Sequence, residues 1–312
     1  MKRFGLTGAA GYVAPRHMKA IRDTGNVLVA ALDPFESVGV IDHYFPDAEF
    51  FVSSELFEAY LEQLRDQGNG IDYLSICSPN YLHGPQIRLA LRQGADAICE
   101  KPLVIDPEEL LQLQDLEART GRRVWTILQL RVHPELLKLK ARVAQDSSVK
   151  DVVLTYITGR GRWYLKSWKG NPAKSGGLAT NIGIHFFDLL SWLFGSVSRL
   201  EVHVRTDRVV SGYMELERAR VRWFLSIDAS YVPAPLRSKG QRTYRSITVD
   251  GEEIEFSGGF TDLHTEVYRK TLAGEGFGIA EAHEAIATTA QIRQAELSGA
   301  SSSEHKHPFL EQ

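Results

Sequence analysis

Three side chains in this sequence could form a catalytic site, and two of them, Lys101 and His185, are of types that can transfer a proton. Lys101 lies in the tripeptide Glu100-Lys101-Pro102, directly after an apolar run that predicts a buried strand. A lysine in a partly dry pocket has a lowered pKa and can act as a base towards a hydroxyl group. Asn181 and His185 are four residues apart in a predicted helix, so their side chains project from one face. These residues are candidate catalytic groups, with a surface lysine and a core-packed histidine as the ordinary alternatives.

A glycine-rich turn follows the first predicted strand. Its sequence is Gly8-Ala9-Ala10-Gly11-Tyr12-Val13, with the spacing G-x-x-G where the usual fingerprint has G-x-G-x-x-G. Small residues there let the backbone approach a pyrophosphate, whose charge a helix N-terminus favours. Asp33 ends the second predicted strand, where its carboxylate would bind ribose hydroxyls and repel a 2′-phosphate. The pattern predicts that the turn binds NAD rather than NADP. The alternatives are a glycine-rich turn that binds no ligand and an aspartate that is simply solvated at the end of a strand.

A basic segment lies between the predicted sheet strand at 149–158 and the predicted helix at 181–194. Residues 152–187 contain neither Asp nor Glu. The cations and aromatic residues of this segment are Arg160, Arg162, Trp163, Tyr164, Lys166, Trp168, Lys169 and Lys174. Cations without counter-charges create a positive field, and aromatic faces stack on sugar or base rings. The segment favours a small polyanion as substrate, and an ordinary basic surface is the alternative.

Alternating strand and helix patterns in the first half of the chain would position these side chains. The continuous apolar run from Val27 to Leu32 is typical of a parallel strand covered on both faces, and Ile71 to Cys77 is a further predicted strand. Repeated strand–helix units predict a doubly wound parallel sheet, a Rossmann fold of the α/β class, over residues 1–125. Lys101 then lies at the carboxyl edge of this sheet, where such folds bind ligands.

The pattern changes after about residue 130. Residues 126–312 are predicted to form an α+β domain that binds the substrate and contains a large, mostly antiparallel sheet. The predicted strands are 149–158, 200–205, 213–216, 221–227, 246–249 and 253–256, and the predicted helices are 181–194 and 280–297. Several strands are apolar on both faces, which indicates burial of the second face in a partner. We therefore expect a homo-oligomer, a tetramer or dimer, and a last helix that packs back towards the first domain.

The bulk composition narrows the class of protein. The 312 residues carry a net charge of −3, which gives no reason to expect nucleic acid or an anionic membrane as partner. The two cysteines, Cys77 and Cys99, form neither a disulfide framework nor a metal site, as suits a reducing compartment. Neither a signal peptide nor a membrane-spanning run is visible. We expect a cytoplasmic protein without a metal, whose polar tail at 301–307 is frayed.

Four motifs together resemble the glucose–fructose oxidoreductase family, Gfo/Idh/MocA, over nearly the whole chain. They are Gly8-Ala9-Ala10-Gly11, Ser78-Pro79-Asn80-Tyr81-Leu82-His83, Glu100-Lys101-Pro102, and Gly176-Gly177 with His185. Longer segments, including Gln129-Leu130-Arg131-Val132-His133-Pro134, are most similar to the WlbA/WbpB branch of this family. Members of that branch are UDP-N-acetylglucosaminuronate 3-dehydrogenases of bacterial lipopolysaccharide and O-antigen synthesis.

The resemblance implies an NAD-dependent dehydrogenase that oxidises the C3 hydroxyl of UDP-N-acetylglucosaminuronic acid (UDP-GlcNAcA) to a 3-keto sugar. Either Lys101 or His185 would take the hydroxyl proton, and the sequence does not choose between them. Many family members have Asp at the position of Asn181; because an amide cannot take a proton, Asn181 would orient a neighbour or bind a hydroxyl. In this branch 2-oxoglutarate would reoxidise the reduced cofactor.

The resemblance and the patterns above give the predicted binding residues. For the cofactor they are Gly8, Ala10, Gly11, Tyr12, Val13, Asp33, Ser78, Asn80, His83, Glu100, Lys101 and Gln129. For the substrate they are Lys101, Arg131, Arg160, Tyr164, Asn181 and His185. Arg131 is a candidate for a carboxylate through its planar guanidinium.

Two other functions compete with this interpretation. An inositol or simple aldose dehydrogenase of the same family would share the cofactor site and Lys101 with His185, but would have little use for the unopposed cations. A non-catalytic NAD-binding regulator would not need Lys101 or His185, and would usually carry an added effector module.

Overall fold

The computed structural model of the chain describes residues 1–254, 256 and 262–310. The chain divides into two compact units. The first comprises Met1–Val132 with Thr261–His283, and the second comprises His133–Phe260 with Glu284–Gln312. Among the described residues, no helix is both long and apolar enough to cross a membrane.

The strands form two sheets. They are β1 (Arg3–Thr7), β2 (Val27–Leu32), β3 (Glu49–Phe51), β4 (Tyr73–Ile76), β5 (Asp96–Cys99), β6 (Val124–Thr126), β7 (Lys150–Thr158), β8 (Val197–Arg205), β9 (Val209–Leu216), β10 (Ala219–Ser226), β11 (Thr243–Val249) and β12 (Glu252–Glu253). The first sheet has the order β3-β2-β1-β4-β5-β6, and the second has the order β12-β11-β7-β10-β9-β8.

The helices follow the alternation expected of the first half and then become less regular. They are α1 (Ala14–Asp23), α2 (Val40–Tyr44), α3 (Ser54–Asp66), α4 (His83–Arg92), α5 (Glu108–Thr120), α6 (Pro134–Ala144), α7 (Trp163–Lys166), α8 (Pro172–Ser175), α9 (Ile184–Phe194), α10 (Ala234–Arg237), α11 (Leu263–Leu272) and α12 (Ile279–Gln294). A π-helix, Ala179–Gly183, leads directly into α9.

Every pairing in the first sheet is parallel, and its central strands are almost wholly buried. The predicted doubly wound sheet is thereby confirmed. The chain crosses from one side of β1 to the other between β2 and β4, so β1 and β4 flank the switch point where the strand order reverses. The loops after β1 and β4 therefore emerge side by side, and these loops carry the glycine-rich turn and the Ser78–His83 motif.

The second sheet is antiparallel except for the parallel pair of β7 with β10. Helix α9 covers one face, where the ring of Phe187 packs edge-on against Trp223 and Phe186 lies against Tyr156. The expectation of a mostly antiparallel sheet is confirmed. The last predicted strand is shorter than expected, because β12 ends at Glu253 and residue 255 lies outside the described residues.

The C-terminal segment, residues 301–310, lies over the other face of this sheet. The ring of His305 stacks on Tyr213 with 3.7 Å between centroids, and Phe309 packs against Phe224 at 5.4 Å. His307 is buried, and its Nε2 lies 3.0 Å from Thr155 Oγ1. The prediction of a frayed tail is therefore wrong. The prediction rested on the serine-rich stretch alone. The rings of His305, His307 and Phe309 beyond that stretch pack against the sheet and hold the segment in place.

Loss of stability in mild acid is the first consequence of this packing. Burial lowers the pKa of His307 to about 3, and its Nδ1 accepts the backbone N–H of Phe309. Because the folded pKa lies below the ordinary value of 6.5, stability is complete above that value and is lost as the pH falls towards 3. As the pH falls from about 7 to 5, His307 is protonated in the unfolded state but not in the folded state, which should lower the free energy of unfolding by about 2 kcal/mol. Urea unfolding of the wild type should show this extra loss relative to His307→Gln, and equal pH dependence of the two proteins would contradict it.

Candidate active site

Two glycines shape the turn after β1 so tightly that side chains do not fit. Gly8 has a φ of 80°, and a Cβ there would lie 2.6 Å from backbone atoms of Cys77 and Ser78. A Cβ on Gly11 would lie 2.9 Å from the Gly8 carbonyl oxygen. The turn closes onto β4 and leads into α1, whose N-cap residue Val13 has no side-chain acceptor for the first amides of the helix. Such a cradle fits the pyrophosphate of a dinucleotide.

Asp33 ties this turn to the end of β2. Its Oδ2 accepts the backbone N–H of Ala10 at 2.9 Å, and its Oδ1 accepts that of Phe35 at 2.9 Å. The carboxylate is largely buried, but each oxygen retains a lone pair beyond these bonds. Hydrogen bonding of Asp33 to a ribose stays a prediction that this position allows.

Gln86 on α4 joins the ends of β1 and β4, and sequence reasoning missed it. The hydroxyls of Thr7 and Ser78 both donate to Gln86 Oε1, each at 2.7 Å. Ser78 and Asn80, predicted to bind the cofactor, are buried in the loop beside this contact. The amide thus fixes the loop that flanks the switch point, although an isolated glutamine in a helix carries no signal for that role.

His83 connects this loop to the one that carries Lys101. Its Nδ1 lies 2.6 Å from the Pro102 carbonyl oxygen, and its Nε2 lies 2.9 Å from the Ser78 carbonyl oxygen. Burial lowers the pKa of His83, and the two carbonyls oppose that shift. Both ring nitrogens face the protein backbone, which suits a role in holding the two loops; contact of His83 with the cofactor stays a prediction.

Glu100 occupies the first position after β5, next to Lys101. Its Oε1 contacts the Nε2 atoms of two buried histidines, His17 at 3.1 Å and His264 at 2.9 Å. Burial would raise the pKa of Glu100, but the hydrogen bonds from His17 and His264 outweigh it and hold that pKa well below its usual range. Sequence reasoning missed both histidines, which lie on α1 and α11.

A 3-10 helix at Gln129–Val132 follows β6 and carries two predicted binding residues. Gln129 Oε1 is buried and has no hydrogen-bond partner among the described residues. Buried acceptors are nearly always satisfied, so this oxygen marks a place for a donor from a bound molecule. Arg131 donates to the Glu281 carbonyl oxygen at 3.0 Å, with its guanidinium over the ring of Phe277.

In the second unit, Asn181 lies in the π-helix and His185 in the first turn of α9. π-Helical turns are rare and occur often at functional sites. The Asn181 amide donates to the hydroxyl oxygen of Tyr164 at 2.5 Å, and burial raises the pKa of Tyr164. Asn181 and Tyr164, both predicted to bind substrate, are thus brought together. His185 is half-buried.

The basic segment folds into α7, a 3-10 turn and α8. Arg160, Arg162 and Lys166 are exposed, and in the part of the chain that the structure describes none of them forms an ion pair with a carboxylate. Lys169 Nζ lies over the ring of Trp168, 4.3 Å from its centroid. Trp163 is 54% exposed, which is unusual for so large an apolar ring and suits a stacking surface.

A Rossmann sheet with a glycine cradle, an acidic residue after β2 and a lysine at the carboxyl edge defines a nucleotide-dependent oxidoreductase. The NAD-binding Rossmann-fold model of the oxidoreductase family Gfo/Idh/MocA matches residues 2–128. The C-terminal α/β domain model of the same family matches residues 148–235. The chain belongs to the Gfo/Idh/MocA oxidoreductase family, its first unit is an NAD-binding domain, and the predicted family and cofactor are confirmed.

Two solved structures match this chain almost from end to end. A WlbA (WbpB) dehydrogenase from Thermus thermophilus, in complex with NAD and UDP-GlcNAcA, is 68% identical. The match covers 99% of this chain and 100% of that chain, with a TM-score of 0.96. A WlbA (WbpB) dehydrogenase from the same organism, in complex with NAD and α-ketoglutarate, is 69% identical over 99% of this chain and 100% of that chain, with a TM-score of 0.97.

Curated relatives are more distant. The glucose-6-phosphate 3-dehydrogenase of Bacillus subtilis is 28% identical over 214 residues, which is 63% of this chain and 55% of that protein. This relative and three others are matched over between 16% and 55% of their own length.

Proposed function

We propose that this protein oxidises the C3 hydroxyl of UDP-GlcNAcA to the 3-keto sugar with NAD as cofactor. One observation carries the proposal: the chain is 68% identical, end to end, to a dehydrogenase whose structure holds NAD and UDP-GlcNAcA. The charge pattern supports it independently, because a UDP-sugar acid brings a diphosphate and a carboxylate, and residues 152–187 contain five cations and neither Asp nor Glu.

Bound NAD supplies the hydride acceptor of this reaction. The residues that would hold it are the two glycines of the turn, Asp33 on the ribose, and Gln129, whose buried Oε1 awaits a donor. The fit is physical: the cradle excludes side chains where a pyrophosphate approaches, and the carboxylate disfavours a 2′-phosphate.

Side chains of this protein would accept the proton of the C3 hydroxyl and orient the sugar. We assign removal of the C3 hydroxyl proton to Lys101 or His185, because an imidazole, or an amine whose pKa is lowered in a dry pocket, can accept a proton near neutral pH. Asn181 cannot accept one, and its bond to Tyr164 suits it to orient that hydroxyl and bind the sugar. Arg160 and Arg131 are assigned to the phosphates and the sugar carboxylate.

We also propose that 2-oxoglutarate accepts the electrons released from the sugar. The two-electron oxidation of the C3 alcohol to a ketone balances the two-electron reduction of the 2-keto group to 2-hydroxyglutarate, because each half-reaction exchanges one hydride equivalent and one proton. The support is the related Thermus thermophilus structure with NAD and α-ketoglutarate. The reaction would serve bacterial surface-polysaccharide synthesis in the cytoplasm. The enzyme would be a homo-oligomer that associates through the part of the second sheet that residues 301–310 do not cover.

A substrate panel tests the proposal. Purified protein and NAD are mixed with UDP-GlcNAcA, with free N-acetylglucosaminuronic acid, or with inositols and simple aldoses, each with and without 2-oxoglutarate. We expect a 3-keto product only from the UDP-linked acid, together with 2-hydroxyglutarate when the keto acid is present. NADH formation from inositols or free aldoses alone would replace the nucleotide-sugar proposal with the simpler dehydrogenase. Tight NAD binding without turnover of any sugar would favour a regulator.

Charge reversal in the basic segment should weaken substrate binding selectively. Arg160→Glu puts a carboxylate where the diphosphate is expected, so we expect KM for UDP-GlcNAcA to rise by roughly 10- to 100-fold, with NAD affinity unchanged. Steady-state kinetics at two salt concentrations measure this, and the defect should shrink at high salt. Arg122→Glu, an exposed arginine of the first unit, is the matched control. An equal rise of KM in both variants would contradict the assignment.

A further inference from the structure

A chain of buried polar groups converges on Glu100 inside the first unit. His17 Nδ1 lies 2.7 Å from the Tyr268 hydroxyl, which lies 2.6 Å from Ser75 Oγ. His17 Nε2 and His264 Nε2 both contact Glu100 Oε1. All five side chains are buried, and they come from α1, β4, the end of β5 and α11.

The hydrogen bonds among these five side chains all run in one direction. Glu100 is an ionised carboxylate and can only accept, so His17 Nε2 and His264 Nε2 must each donate an N–H to it. Burial lowers the pKa of His17, which keeps its ring neutral and leaves Nδ1 as an acceptor. The Tyr268 hydroxyl therefore donates to His17 Nδ1, and Ser75 donates to the Tyr268 oxygen. Every proton points towards Glu100, and each contact in the chain has a donor and an acceptor.

This chain of groups ends at the backbone of Lys101. While Oε1 of Glu100 is occupied by two imidazoles, Oε2 faces the backbone N–H of Lys101 at 3.3 Å. On the other side of Lys101, the carbonyl oxygen of Pro102 is held by His83 Nδ1. The backbone of Lys101 is thus fixed on both sides by buried imidazoles, directly or through Glu100.

A metal ion is the competing explanation for two histidines and a glutamate. The three ligand atoms lie within 4.8 Å of one another, and no fourth His, Cys, Asp or Glu among the described residues joins the group. A cation would have to displace the N–H protons that already satisfy the carboxylate, whereas hydrogen bonding accounts for the whole cluster without one.

We propose that His17 and His264 are positioning residues that act through the Glu100 carboxylate to fix Lys101 for proton transfer. This inference rests on the proposed function, in which Lys101 contacts the sugar. Loss of either imidazole N–H leaves a buried carboxylate with one strong donor, which favours its protonated form and loosens its hold on the Lys101 amide. We expect the effect to fall mainly on the chemical step, because His17 and His264 reach Lys101 only through Glu100 and are not themselves assigned to the ligand.

Paired substitutions of His17 test the inference. His17→Leu removes the donor, whereas His17→Gln places an amide Nε2–H where the imidazole Nε2–H was, and His43→Leu controls for an exposed histidine of the same unit. For His17→Leu we expect kcat to fall by roughly 30-fold, with much smaller changes in KM and in the NAD dissociation constant. The pH profile of kcat should also show a new loss of activity on the acid side, where Glu100 becomes protonated. His17→Gln should recover kcat to within about fivefold of the wild type without the acid limb.

A second readout does not depend on the sugar. The rate at which an amine-selective reagent modifies Lys101 in the NAD complex, followed by peptide mass spectrometry, should change in His17→Leu and return in His17→Gln. If the wild type turns over no UDP-GlcNAcA, the proposed function fails while this labelling still tests the inference. Parallel losses of kcat and melting temperature in both His17 variants, with unchanged labelling, would overturn it. Stoichiometric metal in the wild type, with inactivation by a chelator, would overturn it in favour of a metal site.

Discussion

Replacing Lys101 by methionine should lower kcat for UDP-GlcNAcA by roughly 10³-fold, with a much smaller loss of NAD affinity. Methionine keeps the length and apolar stem of the side chain but removes the amine, so a base that contributes about 10² to 10⁴ is lost without a large change in packing. Single-turnover measurements of NADH formation give the chemical step directly, and quenching of tryptophan fluorescence by NAD gives the cofactor affinity.

Two further variants make this result specific. Lys138→Met changes an exposed lysine that pairs with Glu135 in α6, and it should behave as the wild type. His185→Asn should show which of the two candidate bases dominates. A base is inactive when protonated, so the residue whose loss also removes the acid limb of the pH profile is the one that takes the proton. Activity of Lys101→Met within about tenfold of the wild type would exclude Lys101 as the base.

Substituting Gly8 by alanine should abolish NAD binding and destabilise the first unit. The φ of 80° costs an L-residue roughly 1–2 kcal/mol, and the added Cβ would lie 2.6 Å from backbone atoms that cannot move without shifting β4. Because the displaced loop carries Ser78 and the turn itself is the proposed binding site of the pyrophosphate, we expect NAD affinity to fall by more than about 100-fold. Isothermal titration with NAD and thermal unfolding measure the two effects.

A variant at Gly94 separates the effect of backbone strain from the effect of the steric clash. It has a φ of 75°, and a Cβ there would meet nothing within 4 Å, so Gly94→Ala carries the backbone strain without the clash. That variant should lose only about 1 kcal/mol of stability and should bind NAD normally. If Gly8→Ala and Gly94→Ala were equally mild, the turn would not be the close-approach cradle that the cofactor site requires.

The first sheet could be predicted because buried parallel strands have continuous apolar runs that a short window detects. The short edge strand β3 and the helix α11 were not predicted. Three residues of β3, only half-buried or exposed, carry too little pattern. Helix α11 follows the second sheet in the chain yet belongs to the first unit, and no local signal indicates such a return.

The presence or absence of a local sequence signal also separates the predicted site residues from the missed ones. Lys101, Asp33 and the two glycines follow strands directly, so knowledge of the sheet edge was enough to place them. His17 and Tyr268 are 251 residues apart, and nothing in their neighbourhoods along the chain relates one to the other. The polar network around Glu100 therefore required the tertiary structure, although the Glu-Lys-Pro tripeptide indicated where to look.

Transfer of deuterium from C3 of the sugar is the most direct test of the proposed oxidation of UDP-GlcNAcA at C3. UDP-GlcNAcA deuterated at C3 is incubated with the protein and NAD, with and without 2-oxoglutarate, and the products are analysed by mass spectrometry. We expect one deuterium in the reduced cofactor, or in 2-hydroxyglutarate when the keto acid is present, and a 3-keto sugar that has lost the label. A labelled sugar recovered unchanged, or transfer from a substrate deuterated at C4 instead, would contradict it.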